Sequence, residues 1–296
     1  MSVADDGYRA PGELLRRYGL APKKSWGQCF LHEPAMARRI VAAVGAGPDD
    51  TVVEIGAGLG ALTGLLARRH KRLLAIERDR DLVAVLREEL ADEPTVEVVE
   101  ANALTFDLRS VGGPVHVVGN LPYNISSPLL FHLNEARDVV QSATVMLQRE
   151  LAQRLAAAPG SKLYGAPTVT LGLRAKIDTV VQVGRGAFLP PPKVDSTVLR
   201  LDFAAARAPS RPAELRLSPA ADELLEPLVR GAFAARRKKL RKALSASYPV
   251  TQVDAALSDA GIDGGLRAEV LDLPAFARLA ESLVEVQASA GEDTSS

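Results

Sequence analysis

The sequence predicts an α/β fold, a mostly parallel sheet with helices on both faces, followed by a small all-α domain. Two observations predict it. Short β-branched apolar runs alternate with helical periodicity from residue 51 to about 157, the pattern of successive βαβ crossovers. From Ala220 onward the strand signal stops and helical periodicity alone remains, with breaks at Pro249, 261–265 and Pro274.

Taken in order, residues 1–22 are polar and mixed, with Arg9, Arg16 and Arg17, and read as an arm containing a short helix. Thr51-Val52-Val53-Glu54-Ile55 is a strand ending at Gly56, and Leu62, Leu65 and Leu66 place a helix within 60–69. A second strand, 72–76, ends at Glu77, and Asp79 is a suitable N-cap for an amphipathic helix over 79–90. Strands at 96–100 and 115–118 precede a helix at 127–135. A fifth strand covers 143–147, with a helix from about 149 to 157. Strands at 179–183 and 196–203 flank Leu189-Pro190-Pro191-Pro192-Lys193 and extend the sheet in the antiparallel sense. The expected layout is therefore an arm at 1–22, a seven-stranded domain at 23–205, and a linker at 206–219 rich in Ala, Pro, Arg and Ser. A helical domain at 220–287 and a small, polar, disordered tail at 288–296 complete it.

Composition narrows the function classes. Apolar residues make up 47% of the chain, enough for a core without staples. The single cysteine excludes an intrachain disulfide and fits a reducing, cytoplasmic setting. No N-terminal apolar h-region and no apolar run of roughly 20 residues are present, so neither a secretory signal nor a membrane span is expected. His32, His70, His116 and His132 are far apart and, with one Cys, give no metal-ligand spacing; no metal site is expected. Net charge is zero, which leaves nucleic acid open, because a local patch matters more than the total. Nothing in the sequence signals oligomerisation, and a monomer is expected.

In a parallel sheet, ligands sit beyond the carboxyl ends of the strands. Gly56, Glu77, Asn102 and Asn120 all fall at or just past such ends. Gly56-Ala57-Gly58-Leu59-Gly60 permits a tight turn and close approach of a ligand to the backbone. Glu77 suits a ribose diol and Asn102 an adenine amino group, which fits a dinucleotide and S-adenosylmethionine equally. Residues 120–123 separate the two. An exocyclic amine is a poor nucleophile because its lone pair is delocalised into the ring. The Asn120 side-chain oxygen and the Leu121 carbonyl can accept its N–H bonds and localise that pair. Pro122 stiffens the turn and Tyr123 offers a stacking face. The second feature is a cationic run without acids, Arg230, Arg236, Arg237, Lys238, Lys239, Arg241 and Lys242, with an apolar stripe from Leu228, Val229, Ala232, Phe233, Leu240 and Leu244. It reads as a basic helix facing RNA phosphates, with Lys23, Lys24 and Lys193 adding to the same surface.

From about Lys23 to Ala280 the chain resembles the KsgA/RsmA family of small-subunit rRNA adenine dimethyltransferases. The resemblance is carried by the order and spacing of several pieces. These are the run from Lys23 to Leu31, Glu54 to Gly60, Ala75 to Asp79, 120–123, Leu147 to Leu151, Phe188 to Ser196, and the basic run from Phe233 to Arg241. It implies a Rossmann-like class I methyltransferase fold, S-adenosylmethionine as cofactor, and N6,N6-dimethylation of two adjacent adenosines in the 3′-terminal hairpin loop of 16S rRNA within an immature 30S subunit. By this resemblance Gln28, Cys29 and Leu31 close over the methionine part of the cofactor. Gly56 and Gly58 approach it, Glu77 takes the ribose and Asn102 the adenine. Asn120 and Leu121 hold the target amine, Tyr123 stacks the base, and Phe188 covers its other face. Two positions depart from the family pattern, Cys29 where Asn is usual and Asn102 where Asp is usual.

Three other readings stand beside this one. Erm-type methyltransferases of large-subunit rRNA share the catalytic pieces. A small-subunit assembly checkpoint would bind without needing catalysis. A NAD-dependent oxidoreductase would need a hydride-site residue, and no convincing one is present.

Overall fold

In a computed structural model of the chain, which describes residues 6–235 and 237–293, contacts divide the molecule into two units. One holds the chain up to 152 together with 177–204, the other 153–176 together with the chain from 205 onward. The expected sheet domain of 23–205 thus differs in two ways. The N-terminal arm belongs to the sheet unit, and 153–176 joins the helices.

The sheet unit begins with α1 (Pro11–Arg17), β1 (Phe30–Leu31) and α2 (Pro34–Ala42). The alternating series follows as β2 (Thr51–Ile55), α3 (Thr63–Ala67), β3 (Arg72–Glu77), α4 (Arg80–Glu89), β4 (Val96–Glu100), β5 (Val115–Asn120), α5 (Ser126–Glu135), β6 (Val140–Gln148) and α6 (Arg149–Leu155). After α7 (Ala166–Arg174), which belongs to the other unit, come β7 (Lys176–Val183), β8 (Phe188–Leu189) and β9 (Ser196–Asp202), and then α8 (Phe203–Arg207), within which the boundary to the other unit falls. The seven strands of the main sheet lie in the order β4-β3-β2-β5-β6-β9-β7. Strands β4 through β6 in that order are parallel, and β9 runs antiparallel to β6, from Gln148 against Ser196 to Ser142 against Asp202. Val52 and Val53 in β2 and Val117 and Val118 in β5 are all fully buried, as strands covered on both faces must be. That double burial is why they read as continuous apolar runs.

Two features of this unit were not legible as elements. Helix α2 is one. The pairing of β1 with β8, Phe30 with Leu189 and Leu31 with Phe188, is the other. The short helix expected in the arm is present as α1, and it docks on the sheet unit. Its Leu14 and Leu15 pack with Phe30, Leu59, Leu82 and Val85, and Arg17 and Tyr18 both bond to Glu89 of α4.

The helical unit comprises α7, α9 (Pro219–Phe233), α10 (Leu240–Leu244), α11 (Val250–Asp259) and α12 (Leu273–Asp293). Its core gathers Leu225, Leu228, Val229, Leu240 and Phe276, all fully buried, with Phe233 stacked on Phe276 at 5.8 Å between ring centroids. Arg174 donates to Asp222 at 2.6 Å and ties α7 to α9. Two expectations are corrected. Pro274 does not break a helix but sits in the first turn of α12, where its missing N–H costs nothing. That helix continues to Asp293, so 288–293 is helical rather than a loose tail, and 294–296 lie outside the described residues.

Two positions in β2 and β5 constrain the sheet where it meets the crevice described below. A Cβ at Gly119 would stand 2.4 Å from the Ile55 carbonyl oxygen, so only glycine lets β5 lie this close to β2. Glu54 is buried, and its Oε2 has no hydrogen-bond partner. Burial pushes its carboxyl up to about 8, with the Thr63 hydroxyl acting against the shift and the Glu77 charge adding to it. The proton is thus retained in the fold between about 4.5 and 8, while the unfolded chain releases it, so stability declines as pH rises through that window.

Gly119→Ala should destabilise the protein by about 1–3 kcal/mol, whereas Gly186→Ala, where an added Cβ meets nothing within 4 Å, should be near neutral. Urea denaturation of the pair checks this. Glu54→Gln should remove the pH-dependent penalty. Its stability relative to the parent should improve by about 1–4 kcal/mol between about pH 5 and pH 8, and parallel pH profiles would contradict the assignment.

Candidate active site

Strand β2 connects onward to β3 on one side, while β5 connects onward to β6 on the other. The chain therefore diverges between β2 and β5, and a crevice opens at their carboxyl ends. It is lined by the glycine loop after β2, Glu77 at the end of β3, Ala101 to Ala103 after β4, Asn120 to Ile125 after β5, and Trp26 to Phe30 from the N-terminal segment. Measured out to its open mouth, the crevice spans about 880 Å³.

The glycine loop is tied to β3. Gly56 and Ala57 donate their N–H groups to the Ile76 carbonyl at 2.9 and 3.2 Å. Gly56 and Gly58 have φ of 72° and 61°, the left-handed region that suits glycine. Glu77 is buried and holds the loop from the other side. Its Oε2 accepts the Gly58 N–H at 3.0 Å, and its Oε1 accepts the N–H groups of Arg78 and Asp79 at 2.8 and 2.9 Å. A carboxylate has about four acceptor sites, so one is left for a ligand.

Asp79 caps α4, accepting from the Asp81 N–H at 3.2 Å, and does a second job. It receives the Lys23 ammonium at 2.6 Å and the Gln28 amide at 2.7 Å. Burial alone would raise its carboxyl, but these donors hold it below the ordinary value. Gln28 is engaged at both ends, since its Oε1 accepts the Lys23 N–H at 2.8 Å. Lys23 also reaches Asp81 at 2.7 Å, so its charge is balanced by two carboxylates, an anchoring role rather than that of a cation presented outward. The Arg78 guanidinium lies 4.2 Å from the Trp26 ring centroid and closes the same lip.

Across the crevice, Asn120 donates through Nδ2 to the Cys29 carbonyl at 2.9 Å. A carbonyl can only accept, so this bond fixes which way the amide is turned and leaves Oδ1 as an acceptor. Because the contact uses the Cys29 backbone, the side chain at this position can vary without disturbing Asn120. Leu121 lines the crevice, and its N–H bonds to the Met146 carbonyl at 3.2 Å. The Pro122 carbonyl accepts from Ile125 N and Ser126 Oγ and stabilises the turn. Tyr123 is half-buried, with its hydroxyl 2.8 Å from Ser196 Oγ; burial raises its phenol, the Ser196 bond pulls the other way, and it remains neutral.

The other expected residues are placed as follows. Cys29 lines the crevice, its thiol pushed up by burial. Asn102 also lines it, with Oδ1 accepting the Leu104 N–H at 3.1 Å in an Asx turn. Leu31 and Phe188 do not line it. They face each other across the β1–β8 pair and are buried at 3% and 2% exposure. The basic run is not one helix. Helix α9 ends at Phe233 and α10 starts at Leu240. Arg230 pairs with Glu226, and Arg241 pairs with Asp254 through two bonds. Arg237, Lys238, Lys239 and Lys242 are exposed, as are Lys24 and Lys193; Arg236 lies outside the described residues. Sequence reasoning missed Gly119, Trp26, Arg78 and the wider role of Asp79. A lone Trp beside two lysines was the available signal for Trp26. It also missed Ser196, whose place at the end of the Pro-rich motif was visible but whose direction was not.

A family model described as ribosomal RNA adenine dimethylase matches residues 19–285. The ribosomal RNA small subunit methyltransferase A of Marinobacter nauticus is 44% identical over 275 residues, covering 92% of this chain and 95% of that one. The protein of the same name from Magnetococcus marinus is 43% identical over 273 residues, covering 91% and 94%. Among solved structures, a dimethyladenosine transferase from Plasmodium falciparum aligns with a TM-score of 0.74 at 25% identity, over 87% of this chain and 98% of that one. The 23S rRNA methyltransferase ErmE aligns with a TM-score of 0.68 at 32% identity, over 86% and 99%.

Proposed function

The chain belongs to the ribosomal RNA adenine dimethylase family, and on that premise we propose that it transfers methyl groups from S-adenosylmethionine to N6 of two adjacent adenosines in the 3′-terminal hairpin loop of 16S rRNA. The products are N6,N6-dimethyladenosines, made on an immature small subunit by a cytoplasmic monomer. The observation that carries this reading is Asn120, held with its oxygen free at the crevice between β2 and β5. Preference for the small subunit rests on the relatives bearing that name, at 44% and 43% identity, against 32% for ErmE. Among the described residues no helix is long and apolar enough to cross a membrane.

The residues fit the cofactor. Glu77 keeps one acceptor for a ribose hydroxyl. A Cβ at Gly56 would stand 3.7 Å from the Asn120 carbonyl oxygen and narrow the gap between the glycine loop and the amine site. When bound, S-adenosylmethionine supplies a methyl group already activated by its sulfonium. The protein therefore needs no strong base and concentrates on placement. Asn120 Oδ1 and the Leu121 carbonyl accept the two amine N–H bonds and draw the lone pair onto nitrogen. Both acceptors strengthen as positive charge grows there. Tyr123, neutral, stacks the base after it has turned out of the RNA loop. The methylated amine is acidic enough to lose its proton to water. In the second transfer one N–H remains, so one acceptor suffices and the space of the other accommodates the methyl.

Arg237, Lys238, Lys239 and Lys242 supply the RNA contact in the helical unit, since Arg230 and Arg241 are already paired with acids. The connection between α9 and α10 presents Arg237, Lys238 and Lys239, and Lys242 lies in α10.

Labelled S-adenosylmethionine, offered to separated ribosomal subunits lacking the modification, should label the small subunit, with dimethyladenosine mapped near the 3′ end of its rRNA. Label confined to the large subunit would favour the ErmE-like alternative, and none in either would favour a binding role. Asn120→Ala should lower transfer by about 100-fold or more while sparing cofactor affinity. Glu77→Ala should weaken cofactor binding by about tenfold or more. Joint reversal of Arg237 and Lys239 to Glu should weaken subunit binding and flatten its salt dependence, and an unaltered slope would remove these residues from the interface.

A further inference from the structure

We propose that Ser196 is a positioning residue for methyl transfer: it fixes the angle of the Tyr123 ring on which the target base stacks, and it matters most for the second methyl. This rests on the reading of the crevice given above.

Tyr123 lines the crevice, and its hydroxyl meets Ser196 Oγ at 2.8 Å. Ser196 is fully buried, so water does not replace its hydroxyl in that bond. It is also rigidly held. As the first residue of β9 it pairs with Gln148 at the end of β6. The preceding Asp195 accepts the Arg149 N–H on its carbonyl at 3.0 Å and the Arg185 N–H on its carboxylate at 3.2 Å. The antiparallel sense of β9 explains the placement. A parallel strand would reach the carboxyl edge with its last residue, whereas β9 starts there, directly after the Pro-rich turn. A hydroxyl on a rigid strand is thereby aimed at a ring on a loop, the arrangement that holds a site residue to a narrow range of angles.

The dependence on the second methyl follows from counting hydrogen bonds. An unmodified adenine amine offers two N–H groups, and Asn120 with Leu121 orients it from the nitrogen side. A monomethyl amine offers one. Its orientation then relies more heavily on the plane of the stacked ring, and a loosened ring harms the second transfer more than the first.

Ser196→Ala, Tyr123→Phe and the double variant are compared on small subunits with labelled S-adenosylmethionine, reading kcat, KM, cofactor affinity and the ratio of monomethyl to dimethyl product. Each single variant should lower the rate of dimethyl formation by about tenfold and enrich monomethyladenosine. Cofactor dissociation should change by less than about twofold. Both changes remove one bond, so the double variant should be no worse than either single. Independent, multiplying losses, or a normal product ratio at full rate in Tyr123→Phe, would overturn the proposal. If Ser196→Ala loses cofactor binding, Tyr123→Phe decides alone, because it leaves β9 untouched. A parent enzyme that methylates no subunit would instead defeat the proposed function.

Discussion

Glu77 accepts backbone N–H groups from the glycine loop and from the turn that opens α4, and the rest of the site is built outward from that carboxylate. The turn it organises contains Asp79, which takes the Lys23 ammonium and the Gln28 amide and so pins the N-terminal segment over the crevice. The residue after Gln28 offers its carbonyl to Asn120, which settles the orientation of the amide. A chain of hydrogen bonds thus links the Glu77 side of the crevice to the Asn120 side. The links from Gly58 to Glu77, from Lys23 and Gln28 to Asp79, and from Asn120 to Cys29 join segments far apart in sequence. The two ends of the site are held at a fixed spacing without needing a rigid block of core between them.

How much of this was legible follows from where the information is stored. The strands at 51–55 and 72–76 were legible because parallel strands covered on both faces must be apolar, and the edge strand at 96–100, only partly buried, was legible from its three valines. The glycine loop and 120–123 were legible because their chemistry is local. Directions were not. Leu31 and Phe188 sit in recognisable motifs, yet the β1–β8 pairing turns both inward, and nothing in their neighbours announces a partner so distant in the chain. Ser196 is an ordinary small residue until the antiparallel pairing with β6 brings its hydroxyl to that of Tyr123. The basic run looked like one helix because its apolar spacing continues across it. Like charges at Arg237 and Arg241, and at Lys238 and Lys242, stand four apart, where helical order would crowd them together. The connection between α9 and α10 relieves that repulsion.

The two departures from the family pattern look different once their contacts are known. At Cys29 the structural work is done by the carbonyl, which every residue type possesses. At Asn102 one lone pair of Oδ1 is committed to the Leu104 N–H, and the remaining lone pair and the amide hydrogens are what the crevice receives. An aspartate there would bring charge and no donor. The asparagine keeps the turn and exchanges a negative edge for a mixed one.

The β1–β8 ladder has a consequence for how the protein comes into being. Phe30 lies beside Leu189, so the wall carrying Cys29 is completed only when chain from far downstream folds back onto it. Closing so long a loop is entropically slow, and it follows the formation of the local βα units. During synthesis, the glycine loop and Glu77 emerge early and Ser196 much later. The nascent chain therefore passes through a stage in which the glycine loop and Glu77 are made but the Cys29 wall and the Tyr123–Ser196 contact are not complete. Ser196 therefore joins the site only once β9 has been made and has paired with β6.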